Sequence, residues 1–332
     1  LREKKYLAVS LPLSDKQNAF DPNISNMLSI KSSFMKSRVN RRKFLYQASA
    51  MALGTALLPN TIYASSRGSY KIGVIDLMML KRQKISALDL THELGADGVE
   101  VDMGGLGDRD TFDNKLADPA NRKAYLDKIK ALNIQICSLA MTGFYAQSLA
   151  KRATYQQMVQ DCIDTMVAMK VKIAFLPLGI QCDLIQYPEL RPVLVERLQV
   201  VGEMAARAKV TIGIETALDA KGEKKFLDDV GSPHIRSYFN FSNALKNGRD
   251  LHQELRILGK EYICQIHCTD EDGVWLENNK RLDMQQVRKT LDDMRWRGWL
   301  VIERSRDANN PRDVKGNFGA NTRYMKKIFQ SS

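Results

Sequence analysis

The sequence predicts an α/β fold, a (β/α)8 TIM barrel forming a single domain after a cleavable N-terminal leader. Three observations carry that prediction. Eight short apolar runs recur at near-regular intervals from Tyr70 onward, amphipathic helical patterns separate most of them, and polar residues close four runs in the C-terminal half. The runs are more apolar than half-exposed strands would be, which suits parallel strands buried on both faces. Eight such units in about 260 residues match the size of a closed barrel.

The first run, KIGVI (71–75), is followed by ISALDLTHELG, whose apolar residues fall three and four apart and which ends at Gly95. GVEVDM (98–103) is the second, and NRKAYLDKIKALN repeats the helical spacing ahead of IQICSLA (134–140). TYQQMVQDCIDTMVAMK supplies a longer amphipathic helix before VKIAFLP (171–177), and PVLVERLQVVGEMAARAK another before VTIGIE (210–215). IRSYFN (235–240) and YICQIH (262–267) follow. DMQQVRKTLDDM makes the last crossover into WLVIE (299–303), and NTRYMKKIF closes the chain. An open doubly wound sheet would favour a glycine-rich phosphate turn after its first strand, and IDLMMLKR offers none. Residues 67–332 are therefore read as one barrel.

Ahead of it, residues 40–46 read NRRKFLY, with Lys36 and Arg38 as a basic flank. The apolar stretch ASAMALGTALLP follows, then TIYAS, where Ile62 and Ala64 fit a small-residue cleavage pattern. Residues 35–66 thus resemble a twin-arginine signal peptide cleaved near Ala64. The apolar stretch is short for a membrane span, so no stable membrane insertion is expected after cleavage. Residues 1–34 read as an upstream extension, with Met35 as the natural start. The expected location is periplasmic, reached through the twin-arginine export machinery.

The formal charge of +12 shrinks once the leader is set aside. Residues 1–66 hold 10 of the 50 basic and 3 of the 38 acidic residues, and the remaining 40 and 35 leave a net of +5. No basic stripe interleaved with aromatics runs through the rest, which argues against nucleic acid as a partner. The five cysteines (Cys137, Cys162, Cys182, Cys264, Cys268) show no paired metal spacing and read as small buried hydrophobes.

The polar residues that close runs five to eight are Glu215, Asn240, His267 and Glu303. In a barrel the C-terminal strand ends share one mouth, where βα loops carry chemistry. Two carboxylates, an imidazole and an amide oxygen converging there suit a divalent metal ion. Glu100 and Asp102 share a face of the second run and are expected to bind substrate hydroxyls. Phe144 and Tyr145, in MTGFYAQ after the third run, are expected to lay an aromatic wall over a sugar. His92, His234 and His252 fall in helical or turn segments and read as structural.

GADGVEVD in the second unit, IGIET in the fifth, FNFSN in the sixth, IHCTD in the seventh and LVIERS in the eighth together resemble the xylose-isomerase-like TIM-barrel superfamily of sugar isomerases and epimerases. The resemblance covers roughly residues 71–329. It implies one divalent metal ion held by Glu215, Asn240, His267 and Glu303, with Glu215 and Glu303 as the proton-transfer pair. The sixth-strand position departs from the family, which carries Asp where this chain has Asn240. One fewer negative charge favours Mn²⁺, Mg²⁺ or Ca²⁺ over tightly held Zn²⁺. Asn243, Asp270 and Arg304 stand close enough in sequence to join substrate binding.

The expected function is metal-dependent isomerisation or epimerisation of a non-phosphorylated sugar, by proton abstraction next to a carbonyl and an enediolate intermediate. A 3-keto-glycoside lyase or hydrolase on the same scaffold remains open. So does a catalytically inactive carbohydrate-binding barrel. A small-molecule carbohydrate is the expected partner, and a homo-oligomer is left open.

Overall fold

A computed structural model describes residues 70–331. The leader and its twin-arginine motif therefore lie outside the described residues. Eight strands close into one all-parallel barrel in sequence order, β1 pairing with both β2 and β8. They are β1 Lys71–Ile75, β2 Gly98–Asp102, β3 Gln135–Ala140, β4 Ile173–Pro177, β5 Thr211–Glu215, β6 Ile235–Asn240, β7 Ile263–His267 and β8 Trp299–Ile302. Each lies inside its predicted run, with ends within two residues.

Helices fill the crossovers: α1 Ser86–Glu93, α2 Pro119–Leu132, α3 Tyr155–Met169, α4 Arg191–Ala208, α5 Ala220–Val230, α6 Phe241–Lys246, α7 Leu251–Tyr262, α8 Met284–Asp293 and α9 Val314–Phe329. The quoted sequence patterns do not cover α5, α6 or α7. Aspartate caps nonetheless start two of them: Asp219 accepts from Gly222 N, and Asp250 from His252 N and Gln253 N. Inside α7 the backbone leaves helical geometry at Gly259, whose positive φ (65°) suits glycine. Among the described residues no helix is long and apolar enough to cross a membrane.

Two apolar layers form. The large one lies between sheet and helices and includes Val74, Val99, Leu139, Ile212, Ile266 and Ile302. The barrel interior is smaller and mixed. Ile75, Cys137 and Val301 pack in one cluster, and Ala140, Phe175 and Tyr238 in another. Gly213 on β5 is what admits the Tyr238 side chain, since a Cβ there would lie 2.9 Å from Tyr238 Cβ. All five cysteines are free thiols.

Candidate active site

β5 ends in Glu215, β6 in Asn240 and β7 in His267, while Glu303 directly follows β8. Parallel closure puts these ends on one face, and the four buried side chains meet there. Asn240 Nδ2 lies 3.1 Å from Glu215 Oε2 and 3.0 Å from Glu303 Oε2. His267 Nδ1 is 3.4 Å from Glu215 Oε2 and 4.0 Å from Glu303 Oε2. Burial opposes charge on His267, but the Glu100, Glu215 and Glu303 carboxylates outweigh it and lift its pKa to about 10. Burial also raises the Glu303 pKa, against the pull of the His267 charge.

Glu100 does not reach the mouth as a substrate ligand. Its Oε2 accepts from Ser138 Oγ at 2.7 Å and Tyr238 Oη at 2.5 Å, and its Oε1 faces His267 Nε2 at 3.3 Å. Gln265 Nε2 donates to the same Ser138 and Tyr238 oxygens, at 2.8 and 2.7 Å. With both oxygens engaged inside the barrel, Glu100 orients His267 from behind. The ring is also gripped by Phe175 and Tyr238, with centroids 4.8 and 4.5 Å away.

Asp102 is fully buried. It accepts from Gly104 N at 2.7 Å, from the Thr142 hydroxyl, and pairs with Arg82 Nε at 3.1 Å. Burial lifts its pKa to about 6, against the Thr142 bond and the Arg82 charge. With its oxygens engaged by Gly104, Thr142 and Arg82, Asp102 is held inside the fold, and the half-exposed Arg82 side chain lies between it and solvent. The aromatic wall also needs correction. Phe144 is fully buried and meets Phe112 edge-on at 5.9 Å, so it supports the loop from beneath. Tyr145 alone turns toward the site, its hydroxyl 3.4 Å from Glu215 Oε1.

Asn243, on the first turn of α6, donates to Glu215 Oε1 at 3.2 Å and Thr216 O at 3.1 Å. Arg304 places its Nε 3.7 Å from Glu303 Oε1 and keeps much of its side chain in solvent. Asp270 is instead committed to its own loop. Its two oxygens accept from Arg281 Nε at 3.0 Å and Nη2 at 2.6 Å, and Asn279 adds a bond at 2.9 Å. Ser138, Tyr238, Gln265 and Ser242 were not singled out in the sequence. Period-two alternation back from Asn240 and His267 would have pointed Tyr238 and Gln265 inward.

The expected metal-ligand set fails on one member. Glu215 Oε2 and Glu303 Oε2 both approach the Asn240 amide nitrogen, and His267 Nδ1 faces the same two oxygens. A divalent ion needs a lone pair from every ligand. Asn240 instead presents N–H₂ to the carboxylates, because its Oδ1 accepts from Ser242 N at 2.9 Å and Ser242 Oγ at 2.8 Å. The Ser242 N–H can only donate, which fixes the amide orientation. Among the described residues no group of three or more His, Cys, Asp and Glu side chains is arranged to hold a metal ion. A cavity of about 660 Å³, lined in part by Lys71, Asp97 and Arg297, opens where the strands begin. Its charged groups are engaged, Arg297 with Asp292 at 2.7 Å, Asp97 with Lys326 at 2.9 Å and Lys71 with Gln135 at 2.8 Å, on the face barrels use for stability.

Solved structures share this fold. A xylose isomerase domain protein from Planctomyces limnophilus aligns at 19% identity and TM-score 0.57, covering 79% of this chain and 100% of that one. A 3-keto-D-glucoside 4-epimerase from E. coli aligns at 15% identity and TM-score 0.61, covering 77% and 100%. A D-psicose 3-epimerase from Clostridium cellulolyticum H10, solved with D-tagatose, aligns at 13% and 0.62, covering 78% and 99%. A search of curated protein sequences found no match. The profile described as xylose isomerase-like TIM barrel matches residues 88–328. The chain belongs to the xylose isomerase-like TIM-barrel family.

Proposed function

We propose that this protein is a sugar isomerase or epimerase that moves a carbon-bound proton next to a carbonyl, with Glu215 and Glu303 as the acid/base pair. The observation that carries this reading is the approach of both carboxylates to one atom, Asn240 Nδ2, at 3.1 and 3.0 Å in the barrel mouth. Two carboxyls bordering one space can remove a proton and return one, either to the opposite face of the same carbon or to its neighbour. The raised Glu303 pKa suits a group that carries a proton for part of the cycle. Negative charge developing on the enediolate oxygen would face cationic His267 and Arg304. The divalent ion expected from the sequence is not part of this reading, because Asn240 turns hydrogens toward the place such an ion would need.

Export would keep the protein away from phosphorylated metabolites, so a free, oxidised or glycosidic sugar is the favoured substrate. The likeness to a 3-keto-D-glucoside 4-epimerase supports including 3-keto-glycosides, where elimination begins with the same proton abstraction.

Incubation with ketoses, aldoses and 3-keto-glycosides in D₂O should place deuterium at the carbon beside the carbonyl, read by NMR. Glu303→Gln should abolish exchange while sugar binding by calorimetry persists. Unaltered exchange in that variant would remove Glu303 from the mechanism. Sugar binding without exchange in the wild type would favour the carbohydrate-binding barrel. We also propose periplasmic export through the twin-arginine route, supported by NRRKFLY and the apolar stretch after it. Changing Arg41 and Arg42 to Lys should leave the protein in the cytoplasm of the expressing cell, and unchanged fractionation would refute that route.

A further inference from the structure

We infer that Asn240 makes the proton-transfer site independent of a divalent cation: its amide group bridges Glu215 and Glu303 in the space an ion would fill, and is the feature that keeps the ion out. The inference rests on the reading of that glutamate pair as the functional site.

The geometry is self-consistent. Asn240 closes β6 and is the N-cap of α6, so its carbonyl oxygen is committed to the backbone N–H and hydroxyl of Ser242. Its amide nitrogen has two hydrogens and two carboxylate acceptors, Glu215 Oε2 and Glu303 Oε2. Every donor and acceptor of the side chain is therefore used. Turning the amide over would set N–H₂ against the Ser242 N–H and Oδ1 against two carboxylate oxygens, which is unfavourable at both ends. His267 adds no open lone pair, since its Nε2 faces Glu100 at 3.3 Å and its Nδ1 faces Glu215 at 3.4 Å.

Aspartate at the same position would behave differently. One oxygen could still cap α6 through Ser242, but the other would stand against Glu215 and Glu303. Three carboxylates would then crowd one space, an arrangement that a cation relieves. Asn240→Asp is thus expected to convert a closed bridge into a cation site.

The test is Mn²⁺ titration of chelator-treated protein, with free Mn²⁺ followed by electron paramagnetic resonance and folding checked by circular dichroism. Wild type should take up no Mn²⁺ that Glu215→Gln removes, up to about 1 mM, the weak end of protein sites. Asn240→Asp should take up one Mn²⁺ per chain at least about tenfold below that 1 mM limit, the scale on which single groups around a metal tune affinity. A wild-type site that Glu215→Gln removes would overturn the inference. So would a folded Asn240→Asp protein that gains no site, since something other than Asn240 would then exclude the ion. Should Asn240→Asp fail to fold, the wild-type titration decides alone. Cation uptake, not turnover, is the readout, so failure here is distinguishable from failure of the proposed reaction.

Discussion

Replacing Tyr238 by Phe removes one oxygen from the barrel interior and leaves side-chain shape nearly unchanged, so no cavity term enters. Burial, then the Glu100 charge, pushes the phenol well above the usual tyrosine range, so Tyr238 remains a donor at every practical pH. The substitution deletes a bond to the buried Glu100 carboxylate at 2.5 Å and one from Gln265 Nε2 at 2.7 Å. A bond to a charged partner contributes about 1.5–3 kcal/mol and a neutral one about 0.5–1.5 kcal/mol. Ser138 stays bonded to both Glu100 and Gln265, which softens each loss. The expected cost is therefore about 2–4 kcal/mol. Urea unfolding should show it as a lower midpoint at unchanged slope. A double-mutant cycle with Glu100→Gln should return a coupling of about 1–2 kcal/mol, because the two side chains share one bond. A loss below about 1 kcal/mol, or no coupling, would refute the account of Glu100 as an anchored carboxylate behind His267.

Glu223 on α5 offers a pH test. Burial lifts its pKa to about 7, against the Thr216 hydroxyl, which donates to its Oε2 at 3.2 Å. A carboxyl whose folded pKa is raised binds its proton more tightly in the native state, so its contribution to stability is complete below the unfolded value near 4.5 and is lost as pH rises through about 7. Glu223→Gln should thus match wild type near pH 4 and be more stable than wild type at pH 8–9, by up to roughly 3 kcal/mol; an advantage that does not grow with pH would contradict the assignment. Arg281→Ala should cost about 1–2 kcal/mol by thermal melting, because it strips the buried Asp270 of its bidentate partner while water reaches part of the gap. Arg281→Lys should restore less than half of that, since an ammonium cannot match the two-point contact.

Strand positions followed from local chemistry. A strand buried on both faces must be a short apolar run, and β1 and β6 coincide with KIGVI and IRSYFN residue for residue. The polar residues that end β5, β6 and β7 were visible for the same reason, because an unpaired Glu, Asn or His at the end of an apolar run stands out. Crossover helices α5 and α7 were harder to see. Their start signals are single aspartate caps, and the backbone of α7 leaves helical geometry at Gly259.

The sequence by itself determined the strand rhythm, the closed-barrel class and the residues that crowd its mouth, because backbone pairing and apolar burial act over a few neighbouring positions. Only the tertiary structure decided what those residues do to one another. Phe144 and Tyr145 are adjacent in a single turn, and packing against Phe112 sends the first inward while the second faces Glu215. Glu100 became an anchor because Ser138 and Tyr238, from two other strands, donate to its carboxylate, while Gln265 from a third donates to both of their oxygens. Asn240 turned its hydrogens toward Glu215 and Glu303 because Ser242 claimed its oxygen at the start of α6. Which end of an amide faces a site depends on every partner around it, and those partners meet only when the barrel closes.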